Sequence, residues 1–165
     1  MASEDKMALF GGGGGGAEPK KKKMKAAEII ELVEKNDSTM TECDFNASTI
    51  FALKAPALTE QLCAALRTNE HVKVVDLTDC GINDACCVMI GELMKENKFI
   101  QKLVLNKNKI RDDGCTALAN GLAHNITLRE IEVFGQEGGR KWGEGCLTQW
   151  IEMYKTNVTI LRVNW

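Results

Sequence analysis

Three groups of residues in this 165-residue sequence are of types that carry chemistry. Seven cysteines, at 43, 63, 80, 86, 87, 115 and 146, could ligate a soft metal as thiolates, and Cys80, Cys86 and Cys87 are the natural trio. No pair has the C-x-x-C spacing that brings two sulfurs onto one ion, so they read as small buried hydrophobes and no metal site is expected. An odd number of thiols in a long chain fits a reducing compartment. His71 and His124 lack a nucleophile at a fixed offset and suit helix ends, where the negative pole favours a cation. The third group is Gly135–Gly145, a glycine-rich stretch placed where phosphate cradles sit but without the G-x-x-x-x-G-K-[ST] spelling. Within it Arg140, Lys141 and Trp142 join cations to an aromatic ring. That is the composition of a recognition loop, and an inert insertion is the competing reading.

These residues must be held by elements, and the elements repeat. A motif with apolar residues at positions 1, 4, 6 and 11 and a small polar residue at 9 fits Val72, Val75, Leu77, Cys80, Ile82 and again Ile100, Leu103, Leu105, Asn108, Ile110. Met40, Cys43, Phe45, Ser48, Ile50 is a looser copy; a fourth keeps Leu128, Ile131 and Val133 and loses the pattern at Gln136 and Gly138. A fifth is Ile160, Val163, Trp165, so the starts at 40, 72, 100, 128 and 160 are 32, 28, 28 and 32 residues apart. Ten residues before each later start stand Leu62, Ile90, Leu118 and Trp150, and six before stand Leu66, Met94, Leu122 and Tyr154. A spacing of four puts each pair on one helical face. Asn69, Asn97, Asn125 and Asn157 precede each start by three, where a left-handed asparagine would close a helix. The expected fold is therefore α/β: a right-handed solenoid, a short horseshoe of about five parallel strands alternating with helices. Ala26–Lys35, apolar at Ile29, Ile30, Leu32 and Val33, is expected to be a capping helix at its N-terminal end.

Strand positions 4 and 6 face the helices, so positions 5 and 7 face the other way. Position 5 holds Asp44, Asp76, Val104, Glu132 and Asn164, and position 7 holds Asn46, Thr78, Asn106 and Phe134. This mostly acidic and polar face reads as a surface that steers a basic partner, or as a solvated sheet face. The candidate partner-binding residues are thus Asp44, Asp76, Thr78, Asn106, Glu132, Phe134, Arg140, Lys141 and Trp142.

The spelling L-x-x-L-x-L-x-x-N-x-I at 100–110, in 28-residue units with helices, resembles the leucine-rich repeats of the ribonuclease-inhibitor subclass over residues 40–165. The segments 97–105 and 125–131 and the ending 156–165 resemble the C-terminal domain of the tropomodulin family, in which five strands alternate with helices. That resemblance implies a protein that binds actin and helps cap the slow-growing filament end. The family precedes this domain with a long region that binds tropomyosin and actin, whereas about 25 unlike residues precede the first helix here. Tropomyosin is therefore not expected as a partner. The family also continues past the last strand into a terminal helix, and this sequence stops at Trp165.

Composition narrows the classes further. Residues 1–25 carry six lysines against three acids and include the run Gly11–Gly16, which reads as a disordered tail ahead of a domain at 26–165. Lys20–Lys25 reads as a solubilising tail, an acidic-surface contact or a nuclear-localisation signal. The remaining 140 residues carry 15 basic and 20 acidic groups, which argues against nucleic-acid binding. No apolar stretch reaches the roughly 18 residues of a membrane span, and the first ten residues lack a signal-peptide core, so a cytoplasmic protein is expected. With no catalytic constellation and no cofactor expected, the sequence reads as a non-catalytic interaction module. Its favoured partner is actin or another cytoskeletal protein; a scaffold subunit of a ciliary or signalling complex is the alternative.

Overall fold

The structure is a computed structural model that describes residues 23–138 and 142–165. The elements alternate along the chain. They are α1 (Ala26–Glu34), β1 (Glu42–Asp44), α2 (Thr49–Leu53), α3 (Ala55–Thr68), β2 (Val74–Asp76), α4 (Asp84–Glu96), β3 (Lys102–Val104), α5 (Asp112–Leu122), β4 (Glu130–Glu132), α6 (Glu144–Thr156) and β5 (Arg162–Asn164). The five strands form one parallel sheet in sequence order, β1 to β5. Cys43, Val75, Leu103, Ile131 and Val163 lie side by side across it. Each strand is only three residues long, because the chain turns away as soon as positions 4 and 6 have entered the core.

That core fills the space between sheet and helices. Phe45, Leu77, Leu105 and Val133 at position 6, and Leu62, Ile90, Leu118 and Trp150 on the helices, are all buried. Each such apolar side chain contributes roughly 1.5–3 kcal/mol relative to exposure. The helices stack in file, α1 on α3, α3 on α4, α4 on α5 and α5 on α6, so α1 covers the N-terminal end. α4 and α5 approach closely because glycines face each other: a Cβ on Gly91 would sit 2.6 Å from the Ala117 carbonyl oxygen.

The repeating asparagines close the helices differently from the left-handed turn expected. Asn69, Asn97 and Asn157 are extended, with φ of −81°, −68° and −87°. Their side chains are buried and act between repeats. Each amide nitrogen donates to a carbonyl at the end of the preceding helix: Asn69 to Val33, Asn97 to Leu66, Asn125 to Met94 and Asn157 to Leu122. Each amide oxygen accepts the backbone N–H groups two and three residues on, as Asn97 does from Phe99 and Ile100. An extended backbone is what aims the amide back along the stack.

Ile50 and Tyr154 depart from the repeat register, whereas Gln136 holds it. Ile50 is 60 % exposed and Phe51 takes the core place, its ring 4.9 Å from that of Phe45, because α2 is inserted there and shifts the inward position by one residue. Tyr154 is exposed and Met153 is buried instead; the indole of Trp150, whose N–H donates to the Cys115 carbonyl at 3.1 Å, makes the next inward position i+3. Gln136 keeps the pattern rather than losing it. Its amide donates to the Leu105 and Val133 carbonyls and accepts from Ile110 N–H, the work that Asn108 does for Leu77, Leu105, Cys80 and Ile82.

Candidate interaction surface

The outward row of the sheet is less free than its acidity suggests. Asp44 and Asp76 each spend one oxygen on their own turn, accepting from the N–H of Asn46 at 2.9 Å and of Thr78 at 2.8 Å. Asp44 also faces Lys23 at 3.4 Å. At the other end Lys102 lies between two carboxylates, 2.7 Å from Glu132 and 3.5 Å from Glu130, and Arg162 meets Glu130 at 3.1 Å. The Lys102 hydrogen bond, helped by Asn106 Nδ2 at 2.7 Å, holds the Glu132 carboxyl below the usual carboxylate range. The same contact raises Lys102. Val104, between the two halves, is buried. The carboxylates of β1 and β2 that make no ion pair among the described residues are therefore Glu42 and Asp76.

A second surface runs along the loops that lead from strands into helices. Phe134 is 59 % exposed there, tied by its N–H to Asn106 Oδ1 and by its carbonyl to the N–H of Lys107. Trp142 is half-buried, and its ring lies 6.2 Å from Trp165, which in turn lies 4.8 Å from Trp150. This row of three indoles fastens the end of the lengthened loop to the last strand. Gly143 N–H donates to Asp112 Oδ1 at 3.0 Å, a second tie. Arg140 and Lys141 lie outside the described residues. The cleft nearest this loop, about 530 Å³, is lined by Asn83, Asp84, Lys109, Arg111, Glu137 and Gly138. The structure thus gathers Asp44, Asp76 and Thr78 at one end of the sheet, joins Glu132 to Asn106, and sets Phe134 and Trp142 at the loop edge.

The thiols are placed as core. All seven cysteines are free and buried, and burial pushes Cys43, Cys63 and Cys80 up to about 12, which keeps them protonated. Among the described residues no three His, Cys, Asp or Glu side chains converge on a metal position. No described helix is long and apolar enough to cross a membrane.

A family profile described as the TMOD/LMOD leucine-rich domain matches residues 22–165. The chain belongs to the tropomodulin/leiomodin leucine-rich domain family. It is 32 % identical to tropomodulin-4 of Bos taurus over 115 residues, which are 70 % of this chain and 32 % of that protein. It is 27 % identical to leiomodin-2 of Rattus norvegicus over 138 residues, 84 % of this chain and 24 % of that protein. The chain therefore spans about a third or less of the curated relatives it matches. Among solved structures, leiomodin-1 actin-binding site 2 superposes with a TM-score of 0.76 at 28 % identity, covering 83 % of this chain and 76 % of that one. The tropomodulin C-terminal domain of Caenorhabditis elegans superposes at 0.75 with 16 % identity, over 86 % and 82 %, a likeness of fold.

Within this tropomodulin/leiomodin domain, the residue that sequence reasoning missed on the sheet face is Lys102. It sits at motif position 3, which also points outward, and the 28-residue spacing alone sets it opposite Glu130. Reading positions 3 and 5 together would have shown that half of the acidic row carries its own cations.

Proposed function

We propose that this chain is a non-catalytic protein-interaction module that binds actin and acts at filament ends in the cytoskeleton. The observation that carries the reading is its likeness to the leiomodin-1 domain described as an actin-binding site, at an identity that extends beyond fold alone. A rigid stack with polar outer faces and a buried thiol set suits recognition rather than chemistry. Of the two surfaces, the loop edge around Phe134 and Trp142 supports the contact better. It combines an exposed aromatic anchor with a braced neighbour, whereas Glu132 is engaged by Lys102.

The test is elongation of actin seeds at the pointed end, with and without the protein, alongside co-sedimentation with filaments. Slowed elongation or saturable binding is the expected result, with Phe134→Ala weakening it about tenfold and Asp76→Asn changing it little. No effect of the unaltered protein at tens of micromolar overturns the actin reading.

A further inference from the structure

The first repeat exceeds the 28-residue unit, and the extra chain between β1 and α3 is the five-residue helix α2. α2 adds little to the stack: among its residues only Phe51 is buried. Ile50 and Leu53, three apart and so on one face, are 60 % and 80 % exposed, and Lys54 follows directly in the chain and is exposed as well. The segment approaching α1 passes beside Ile50. Lys23 Nζ donates to the Asn46 carbonyl, Met24 is exposed, and a cleft of about 340 Å³ opens between Lys23–Ala26 and the turn from Asp44 to Ile50.

We propose that Met24, Ile50 and Leu53, ringed by Lys23, Lys25 and Lys54, form a docking surface for an acidic, amphipathic segment of a protein partner. The charges select its sign. The nearby carboxylates are engaged, Asp44 with Lys23 and the Asn46 N–H, Glu28 with the Lys25 N–H at 3.0 Å. Among the described residues Lys25 and Lys54 make no ion pair, and the sequence places Lys20, Lys21 and Lys22 directly before Lys23. Cations are therefore in excess around an apolar centre, which suits a partner segment with carboxylates flanking leucine-like side chains. A lipid surface is disfavoured, because the five-residue α2 is far too short for an interfacial helix.

This surface stands apart from the actin reading and is tested without actin. A fluorescent synthetic peptide of leucine and glutamate in amphipathic helical order is titrated against the full chain, beside the same peptide with lysine for glutamate and beside phosphatidylcholine–phosphatidylserine vesicles. Saturable binding of the glutamate peptide is expected, weakening as salt rises. The double variant Ile50→Ser, Leu53→Ser and the triple variant Lys23→Glu, Lys25→Glu, Lys54→Glu should each lose about tenfold in affinity with unchanged circular dichroism. Equal binding by either variant, equal binding of the lysine peptide, absence of peptide binding, or capture by vesicles in place of the peptide overturns it.

Discussion

At the scale of single residues, the side chain of Asn125 bonds to the carbonyls of Met94 and Asn97 and to the N–H groups of Thr127 and Leu128. Asn125→Ala strands these buried backbone groups, and a urea titration should show a loss of about 3 kcal/mol, while Asn120→Ala on the exposed side of α5 should stay within about 0.5 kcal/mol. The asparagine positions were legible from sequence, but their role was not. Composition and spacing show where an amide recurs, not that its backbone is extended and its side chain reaches a different repeat. Lys102 gives a pH signature. Because Glu132 titrates below the usual carboxylate range, its pairing stabilises the fold above that range and is lost as pH falls through the lowered value. Because Lys102 is raised, its share is present below the ordinary lysine value and is lost as pH climbs through the raised one. Both groups are partly exposed, so the pair is worth about 1 kcal/mol. Lys102→Met should remove that amount at neutral pH and flatten both slopes, read from melting temperature against pH.

At the scale of elements, helix contacts depend on what is missing as much as on what is present. A Cβ on Gly121 would overlap the backbone of Gly91, so Gly121→Ala must push α5 away from α4. Overpacking of this kind costs about 2 kcal/mol, and Gly145→Ala, whose Cβ meets open space, is the matched control expected to be neutral or slightly stabilising in the same denaturation. The turns hide their geometry better than the helices do. Ala47, Asp79, Lys107 and Gly135 occupy the same motif position and all have φ between 53° and 70°. Only one of the four is glycine, so the left-handed turn that follows each of β1 to β4 leaves almost no trace in residue type. The inserted α2 was invisible for a related reason: Ile50 and Phe51 are equally apolar, and only packing decides which of them enters the core.

At the scale of the whole molecule, the fold was legible because each unit repeats the same two apolar registers, and a stack of such units has one way to bury both. The interaction surface was less legible, since outward positions are free of that constraint and their pairing depends on neighbours 28 residues away. Because each unit touches only adjacent ones, unfolding should proceed from an end. Cys146 in α6, which among the described helices stacks mainly on α5, is expected to be labelled by a thiol reagent at lower denaturant than Cys86 and Cys87 in α4, which has a helix stacked on both sides. Simultaneous labelling of all seven thiols would instead mean a single cooperative unit. The asparagine amides point one way along this stack, each clasping the helix before it and none the helix after. As a nascent chain leaves the ribosome, every unit therefore emerges carrying its own clasp, and the carbonyl it must seize has already been synthesised and put in place.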